Sequence, residues 1–202
     1  MYKAGHFTYF GLSNYTAQGV QDVYDHCKEK GYVLPTHFQG NYNPVSRHID
    51  TDLLPTLRKL GISFYAYSPL AGGFLTKTKE QIAGGGDDAG RFASSNMLSG
   101  MYKKLYSERP KLLQSLELWE EIAQKANVSK AELAYRWMSF NSPLKAEHGD
   151  GIIFGASKIS QITSTVSWIK KGPFEDDIAK QVDKVWDLVK DEAPLNNMDA
   201  MG

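Results

Sequence analysis

A chain of 202 residues, 42% of them hydrophobic, can bury one sizeable core but is short for two ordinary domains with a linker, so residues 1–202 read as a single domain. Acidic and basic residues balance at 23 each, and no stretch gathers Lys and Arg into a phosphate-backbone footprint, which sets nucleic acid aside as a partner. No apolar run of about 18 residues marks a membrane span, the first residues lack a signal-type apolar core, and the single cysteine, Cys27, allows no internal disulfide, so a reducing, cytoplasmic setting is expected.

In chain order the pattern alternates. FTYFGL (7–12) reads as a buried strand, followed by helical spacing over 17–30 with Val20, Val23, Tyr24 and Cys27 on one face. LPTHFQG (34–40) is a second strand, and Ile49, Leu53, Leu54, Leu57 and Leu60 mark a helix over 49–60 that Gly61 ends. ISFYAYS (62–68) is a third strand. A long insertion follows it, with a low-complexity tract at Gly84–Asp88, and the Gly84–Lys104 stretch reads as a loop able to clasp a ligand. Helices are then expected over 110–126 and 130–140, the second opened by Ser129 and Glu132 at capping-box spacing. GIIFGAS (151–157) is the fourth strand, with a helix over 159–170. Ile178, Val182, Val185, Trp186 and Val189 mark an amphipathic terminal helix whose first turn is made acidic by Asp176 and Asp177. Strand and helix alternate four times, which predicts an α/β fold with parallel strands and helical crossovers.

Ligands in such folds meet the loops at the carboxyl ends of the strands. Those tips are Ser13-Asn14, Gln39-Gly40-Asn41-Tyr42, the run Tyr67 to Gly73, and Ser157-Lys158. Ser13, Asn14 and Gln39 carry neutral groups suited to reading a carboxamide. Tyr67 offers a face for stacking, and Gly72-Gly73 lets backbone amides approach a phosphate. Ser157 and Lys158 open a helix, where a hydroxyl, an ammonium and backbone amides can converge on an anion. Each has a plainer reading as a turn, a strand exit or a solvated lysine. His37 shares a strand face with Gln39 and reads as a hydrogen-bonded interior histidine; with no second ligand at metal spacing, no metal is assigned.

Taken in order, "GLSNY", "LPTHFQGNYN", "LLPTLRKLGISFYAYSPLAGGFL", "GRF", "ELAYRWM" and "GIIFGASK" resemble the aldo-keto reductase superfamily, in particular its aflatoxin-aldehyde reductase branch. The resemblance covers nearly the whole chain and implies an NADPH-dependent carbonyl reductase built as a (β/α)8 barrel. By position it assigns Ser13, Asn14 and Gln39 to the nicotinamide carboxamide and Tyr67 to stacking on the nicotinamide ring. Ser68, Leu70 and Gly72 fall along the pyrophosphate, Arg91 of "GRF" on the loop over the cofactor, and Ser157, Lys158 and Gln161 at the adenosine 2'-phosphate. The sequence departs from the pattern at Thr165, where an amide residue is expected near the adenine, and at His37, where an apolar residue is usual.

The four strands match strands five to eight of that barrel, with an extra C-terminal helix, so the resemblance is to a partial, half TIM barrel. The family's catalytic Asp, Tyr, Lys and His belong to the first four strands, and no catalytic residue is assigned here. The chain is therefore expected to be weakly active or inactive alone, an NADPH-binding half of an aldehyde or ketone reductase. A non-catalytic NADPH-binding module or partner subunit, or a truncated gene product, are the alternatives, and a carbonyl substrate is expected only if another half completes the site. Tyr15 and Tyr42 follow strand tips as substitute acids, but neither has an evident Lys to lower its pKa from near 10. Open edges on the first and fourth strands can be met by self-association, by a separate chain, or by cover from the chain's own loops; a homo-oligomer through the sheet edges is expected, because parallel strands rarely tolerate exposure.

Overall fold

The structure is a computed structural model that describes residues 1–83, 91–93 and 95–196. The tract Gly84–Asp88 lies outside the described residues, so the ligand-clasping loop is seen only in part.

Four strands form one sheet in the order β1-β2-β3-β4, all parallel: β1 Phe10–Ser13, β2 Pro35–Asn41, β3 Ser63–Tyr67 and β4 Gly151–Ile152. Helix α1 (Ala17–Glu29) joins β1 to β2, and a 3-10 turn His48–Asp50 with α2 (Leu53–Leu60) joins β2 to β3. The connection from β3 to β4 holds a 3-10 turn (Ala71–Thr76) and short helices α3 (Lys79–Ala83) and α4 (Ser99–Tyr102), the latter running into a π turn at Lys103–Ser107. It continues through α5 (Pro110–Lys125) and α6 (Lys130–Arg136), which widens into a π turn at Trp137–Asn141. Helices α7 (Ile159–Ile169) and α8 (Asp176–Val189) end the order.

Local chemistry explains the boundaries. The Thr16 hydroxyl accepts from the Gly19 amide at 3.1 Å and caps α1, and Gly61 ends α2 in the left-handed conformation at φ 67°. Ser129 caps α6 as its spacing predicts, accepting from the Glu132 amide at 3.1 Å. The return half of that capping box is absent, because the buried Glu132 carboxylate turns instead to Lys171 at 2.9 Å and Arg136 at 3.2 Å.

Two strands are shorter than the sequence predicts. Residues 7–9 pair with nothing in the sheet, and Tyr9 is 69% exposed. β1 is an edge strand whose only neighbour starts at Pro35, a residue with no N–H to give, and its register slips between Phe10 and Gly11. β4 is likewise an edge. Its pairing ends with the Ile153 amide on the Ala66 carbonyl at 2.8 Å, because β3 turns away after Tyr67.

The sheet is covered on one face. Leu12, Phe38, Phe64 and Ala66 point to the helices and join a core with Val20, Leu53, Leu54 and Leu57. That core continues to α5 and α8 through Leu116, Trp119, Val182 and Val185. Along the other face, Gly11, Ser13 and Gln39 are exposed, and His37, Tyr65 and Tyr67 are only half-buried. The strands are thus half-covered rather than buried.

At the amino end of the sheet, Asp150 ties β3 and β4 to α2. Its side chain, 2% exposed, accepts from the two terminal Arg58 nitrogens, Nη2 at 2.5 and Nη1 at 3.0 Å, from the Phe64 amide at 2.9 Å and from the Lys145 amide at 2.8 Å. Removing the carboxylate strands two backbone donors and a guanidinium together. Asp150→Ala is therefore expected to lower the unfolding free energy by about 3 kcal/mol, read as the urea midpoint at unchanged slope. A midpoint equal to the parent's contradicts this role.

Candidate functional site

The site begins with the strand register. Ser13 of β1 lies opposite Gln39 of β2, which lies opposite Tyr65, and Asn41 lies opposite Tyr67. Side chains two apart share a face, so Ser13, Gln39 and Tyr67 project to the side away from the helices. The Tyr67 hydroxyl crosses the sheet and donates to Asn14 Oδ1 at 3.0 Å. That bond fixes the Asn14 amide with its oxygen occupied and its NH2 still able to donate.

Backbone strain gathers at these tips. Four non-glycine residues have positive φ among the described residues, and three lie here: Asn14 at 60°, Ser68 at 56° and Ala71 at 51°. Gly72 (68°) and Gly73 (100°) continue the run. Left-handed conformations cost L-residues about 1–2 kcal/mol each, so the surroundings must hold them. Asn43 does so for Ser68: its Nδ2 donates to the Ser68 carbonyl at 3.1 Å, while its Oδ1 accepts from the Val45 amide at 3.0 Å. The Ser68 carbonyl also receives the Ala71 amide at 2.8 Å, and the Leu70 carbonyl receives the Gly73 amide at 2.9 Å.

Gly72 is required for a second reason. A Cβ there would enter the Tyr102 ring, while at Gly73 it would meet open space. The Arg91 guanidinium stands over the same ring, its carbon 5.5 Å from the Tyr102 ring centroid, and Phe92 packs edge-on to it. The structure therefore brings Gly72, Tyr102 and Arg91 into one stack, with Leu70 half-buried beside it.

A third group lies past β4. The Gln161 side-chain oxygen accepts from the Ser157 amide at 2.9 Å, the Lys158 amide at 3.3 Å and the Ser157 hydroxyl at 3.4 Å, closing the first turn of α7. Ser157, Lys158 and Gln161 are exposed. This group is not in contact with Ser13 or Gln39: three strand spacings, about 14 Å, separate β1 from β4 along the carboxyl edge.

Other expectations resolve differently. Tyr42 lies one residue past Asn41 and so points to the helix side, fully buried between Phe64 and Trp137. Burial first, and the nearby Asp50 carboxylate second, push its hydroxyl well above the usual tyrosine range, which removes it as an acid facing the site. Tyr15 is exposed and packs by Gly19. Thr165 is buried in α7 against Tyr135, whose hydroxyl burial pushes up to about 12, so Thr165 does not face the α7 entry. His37 is half-buried between the Tyr9 and Tyr65 rings, its Nδ1 2.8 Å from the Thr36 hydroxyl. Among the described residues no three His, Cys, Asp or Glu side chains gather as metal ligands, and no helix is long and apolar enough to cross a membrane.

Sequence reading missed the support behind the tips. Asn41 donates to the Ser46 hydroxyl at 2.9 Å, and Ser46 donates to the Pro194 carbonyl at 2.7 Å, which straps residues 193–194 to the β2 tip with help from His48. Arg47, 4.9 Å from the Trp137 ring and 2.8 Å from Asp183, anchors the same loop to α8. The polar run NYNPVS directly after a strand was the available signal.

The sequence profile described as "Aldo/keto reductase family" matches residues 1–187. "Oxidoreductase sirO" of Leptosphaeria maculans is 38% identical over 198 residues, which cover 98% of this chain and 59% of that protein. Human "Aldo-keto reductase family 7 member A3" is 36% identical, covering 96% and 60%, and human "Aflatoxin B1 aldehyde reductase member 2" is 35% identical, covering 96% and 55%. The chain thus spans somewhat over half the length of the curated relatives it matches.

The Gly72 stack is testable without a ligand. Gly72→Ala is expected to cost about 2 kcal/mol or more and to speed tryptic cleavage at Arg91, read by denaturant midpoint and by cleavage rate. A variant as stable and as resistant as the parent would refute the stack.

Proposed function

The chain belongs to the aldo/keto reductase family, and from that premise we propose that the carboxyl ends of its four strands bind NADPH as the cofactor half of a carbonyl reductase. One observation carries the reading. The hydroxyl of Tyr67, whose ring is half-exposed, holds Asn14 at 3.0 Å beside Ser13 and Gln39, so an aromatic face and three neutral amide or hydroxyl groups converge on one spot.

The donor set fits the group. Ser13, the Asn14 NH2 and the Gln39 carboxamide are chemically matched to a carboxamide, which needs both donors and acceptors and no charge. Tyr67 supplies a stacking surface, and its bond to Asn14 keeps the ring from rotating away. The tight turn from Ser68 to Gly73, left-handed at Ser68, Ala71, Gly72 and Gly73, lets a phosphate approach the backbone closely, with the Ala71 and Gly73 amides already bonded to the Ser68 and Leu70 carbonyls to hold its shape. Arg91, held on Tyr102, adds a cation above that turn.

At the far edge, Ser157, Lys158 and the first amides of α7 face an anion, here the 2'-phosphate that separates NADPH from NADH. Gln161 already satisfies the Ser157 and Lys158 amides just before them, so an anion that takes those two exchanges one acceptor for a charged one. When bound, the nicotinamide supplies hydride to a carbonyl carbon. The proton for the resulting alkoxide must come from a general acid, and neither tyrosine that follows a strand tip is suited to give it: Tyr42 is buried on the helix side and Tyr15 lies exposed past the β1 tip, while the Tyr67 hydroxyl at the site already donates to Asn14. The family's Asp, Tyr, Lys and His set lies outside these four strands by the resemblance. General acid catalysis is worth roughly 10²–10⁴ in rate, so this chain alone holds the donor and turns over slowly or not at all.

Titration of the purified chain with NADPH, followed by nucleotide fluorescence, tests the reading. Binding is expected, with NADPH preferred to NADH, and Lys158→Ala is expected to erase most of that preference at a cost of about 1.5–3 kcal/mol, the worth of a hydrogen bond to a charged group. Equal weak signals for both nucleotides in parent and variant would defeat the proposal. With binding established, oxidation of NADPH by an aromatic aldehyde at a rate typical of enzymes would defeat the claim that the acid lies elsewhere.

A further inference from the structure

Two surfaces of opposite shape flank the sheet. At the amino end of β1, an apolar groove of about 1070 Å³ runs between the segment that leads into this edge strand and the end of α1, lined among others by Phe7, Tyr9, Phe10, Cys27, Tyr32 and Val33. Beyond β4, α7 stands out of the core. Ile159, Ile162 and Val166 are 81%, 45% and 44% exposed, and Thr165 is its one buried residue. Those three lie at i, i+3 and i+7, which is one face of a helix. An apolar stripe of this kind normally faces a core.

We propose that the groove receives α7 of a second copy of this chain, and that two copies close into one ring in which each β4 lies beside the β1 of the other. The polarity allows it. All four strands are parallel, so copies related by a two-fold axis along the ring keep every strand parallel to its neighbour. The βα geometry requires the helix to follow. In this chain α1 and α2 pack together on the outer face, each helix seated between its own strand and the next. With β4 beside the second copy's β1, α7 falls on the outer side of that junction, beside α1, where the groove is.

The count closes the ring. Four and four strands make eight, the number at which a barrel interior is just wide enough for side chains to fill it. Ser13, His37, Gln39, Tyr65 and Tyr67, now on the uncovered face, would line that interior. The heterologous β4-to-β1 contact would otherwise propagate as an open filament; the eight-strand closure stops it at two copies.

The pairing covers apolar side chains on both copies at once, the Ile159, Ile162 and Val166 stripe of one and the Phe7, Tyr32 and Val33 lining of the other. Backbone groups of both edge strands gain partners in the same step. This proposal does not rest on the cofactor reading, since neither surface includes the strand tips.

Sedimentation velocity of the 202-residue chain at micromolar concentration is the test. The parent is expected at twice 22.6 kDa. Ile162→Glu with Val166→Glu on α7, and separately Tyr32→Glu in the groove, are each expected to raise the dissociation constant at least about tenfold while far-UV circular dichroism stays unchanged. Both sites are exposed, and either variant folding suffices. A parent that runs as a monomer overturns the proposal, as does a dimer that both variants leave intact. So does a monomer that ignores its own kind but binds the part of a longer relative beyond the region this chain matches.

Discussion

Parallel strands cannot be joined by a tight turn, and each must be followed by a helix that carries the chain back to the end where it started. Everything else in this protein follows from that requirement. It places four carboxyl ends along one edge of the sheet and four amino ends along the other, and the two edges divide the work. At the amino end, Asp150 spends its carboxylate on Arg58 and the Phe64 and Lys145 amides, which fixes strands to helix and leaves little to offer a ligand. At the carboxyl end, polar side chains point outward from strands already held in place.

Rigid strands allow the tips to be strained. Asn14, Ser68 and Ala71 sit in a conformation that L-residues avoid; Asn14 and Ser68 are restrained by bonds from elsewhere in the sequence, and Ala71 by its amide on the Ser68 carbonyl. Tyr67 reaches back across the sheet to Asn14, and Asn43 reaches across to Ser68. Behind them the Asn41, Ser46 and Pro194 chain ties the β2 tip to the C-terminal segment. A site assembled before its ligand arrives loses less conformational entropy on binding, so more of each contact appears as affinity. The same economy explains Gly72, where the turn and the Tyr102 ring that supports Arg91 approach too closely for any side chain.

What the sequence made legible was chemistry with a period. The α/β alternation, the inward faces of α1, α2 and α8, and the Ser129 cap all followed from spacing and residue type, as did the family resemblance. What it hid depended on neighbours. FTYFGL has the composition of an inner strand, yet residues 7–9 find no partner because the adjacent strand begins at Pro35. Tyr42 looks like a tip residue, but one step along a strand reverses its face. Asn43 and Ser46 carry no periodic signal at all; their roles exist only through Ser68 and Pro194, distant in sequence. The one-sided cover of the sheet was equally invisible, since an aromatic residue such as Tyr65 suits a core and an open face alike.

The central claim is that the carboxyl edge, from Ser13 to Lys158, is a single prearranged dinucleotide site. Amide hydrogen exchange with and without saturating NADPH tests it most directly. Added protection is expected at Asn14, across residues 68–73 and at Ser157 and Lys158, with no change at the amino end around Ser63 and Asp150. Protection confined to one of those segments, or spread equally to the amino end, would contradict it.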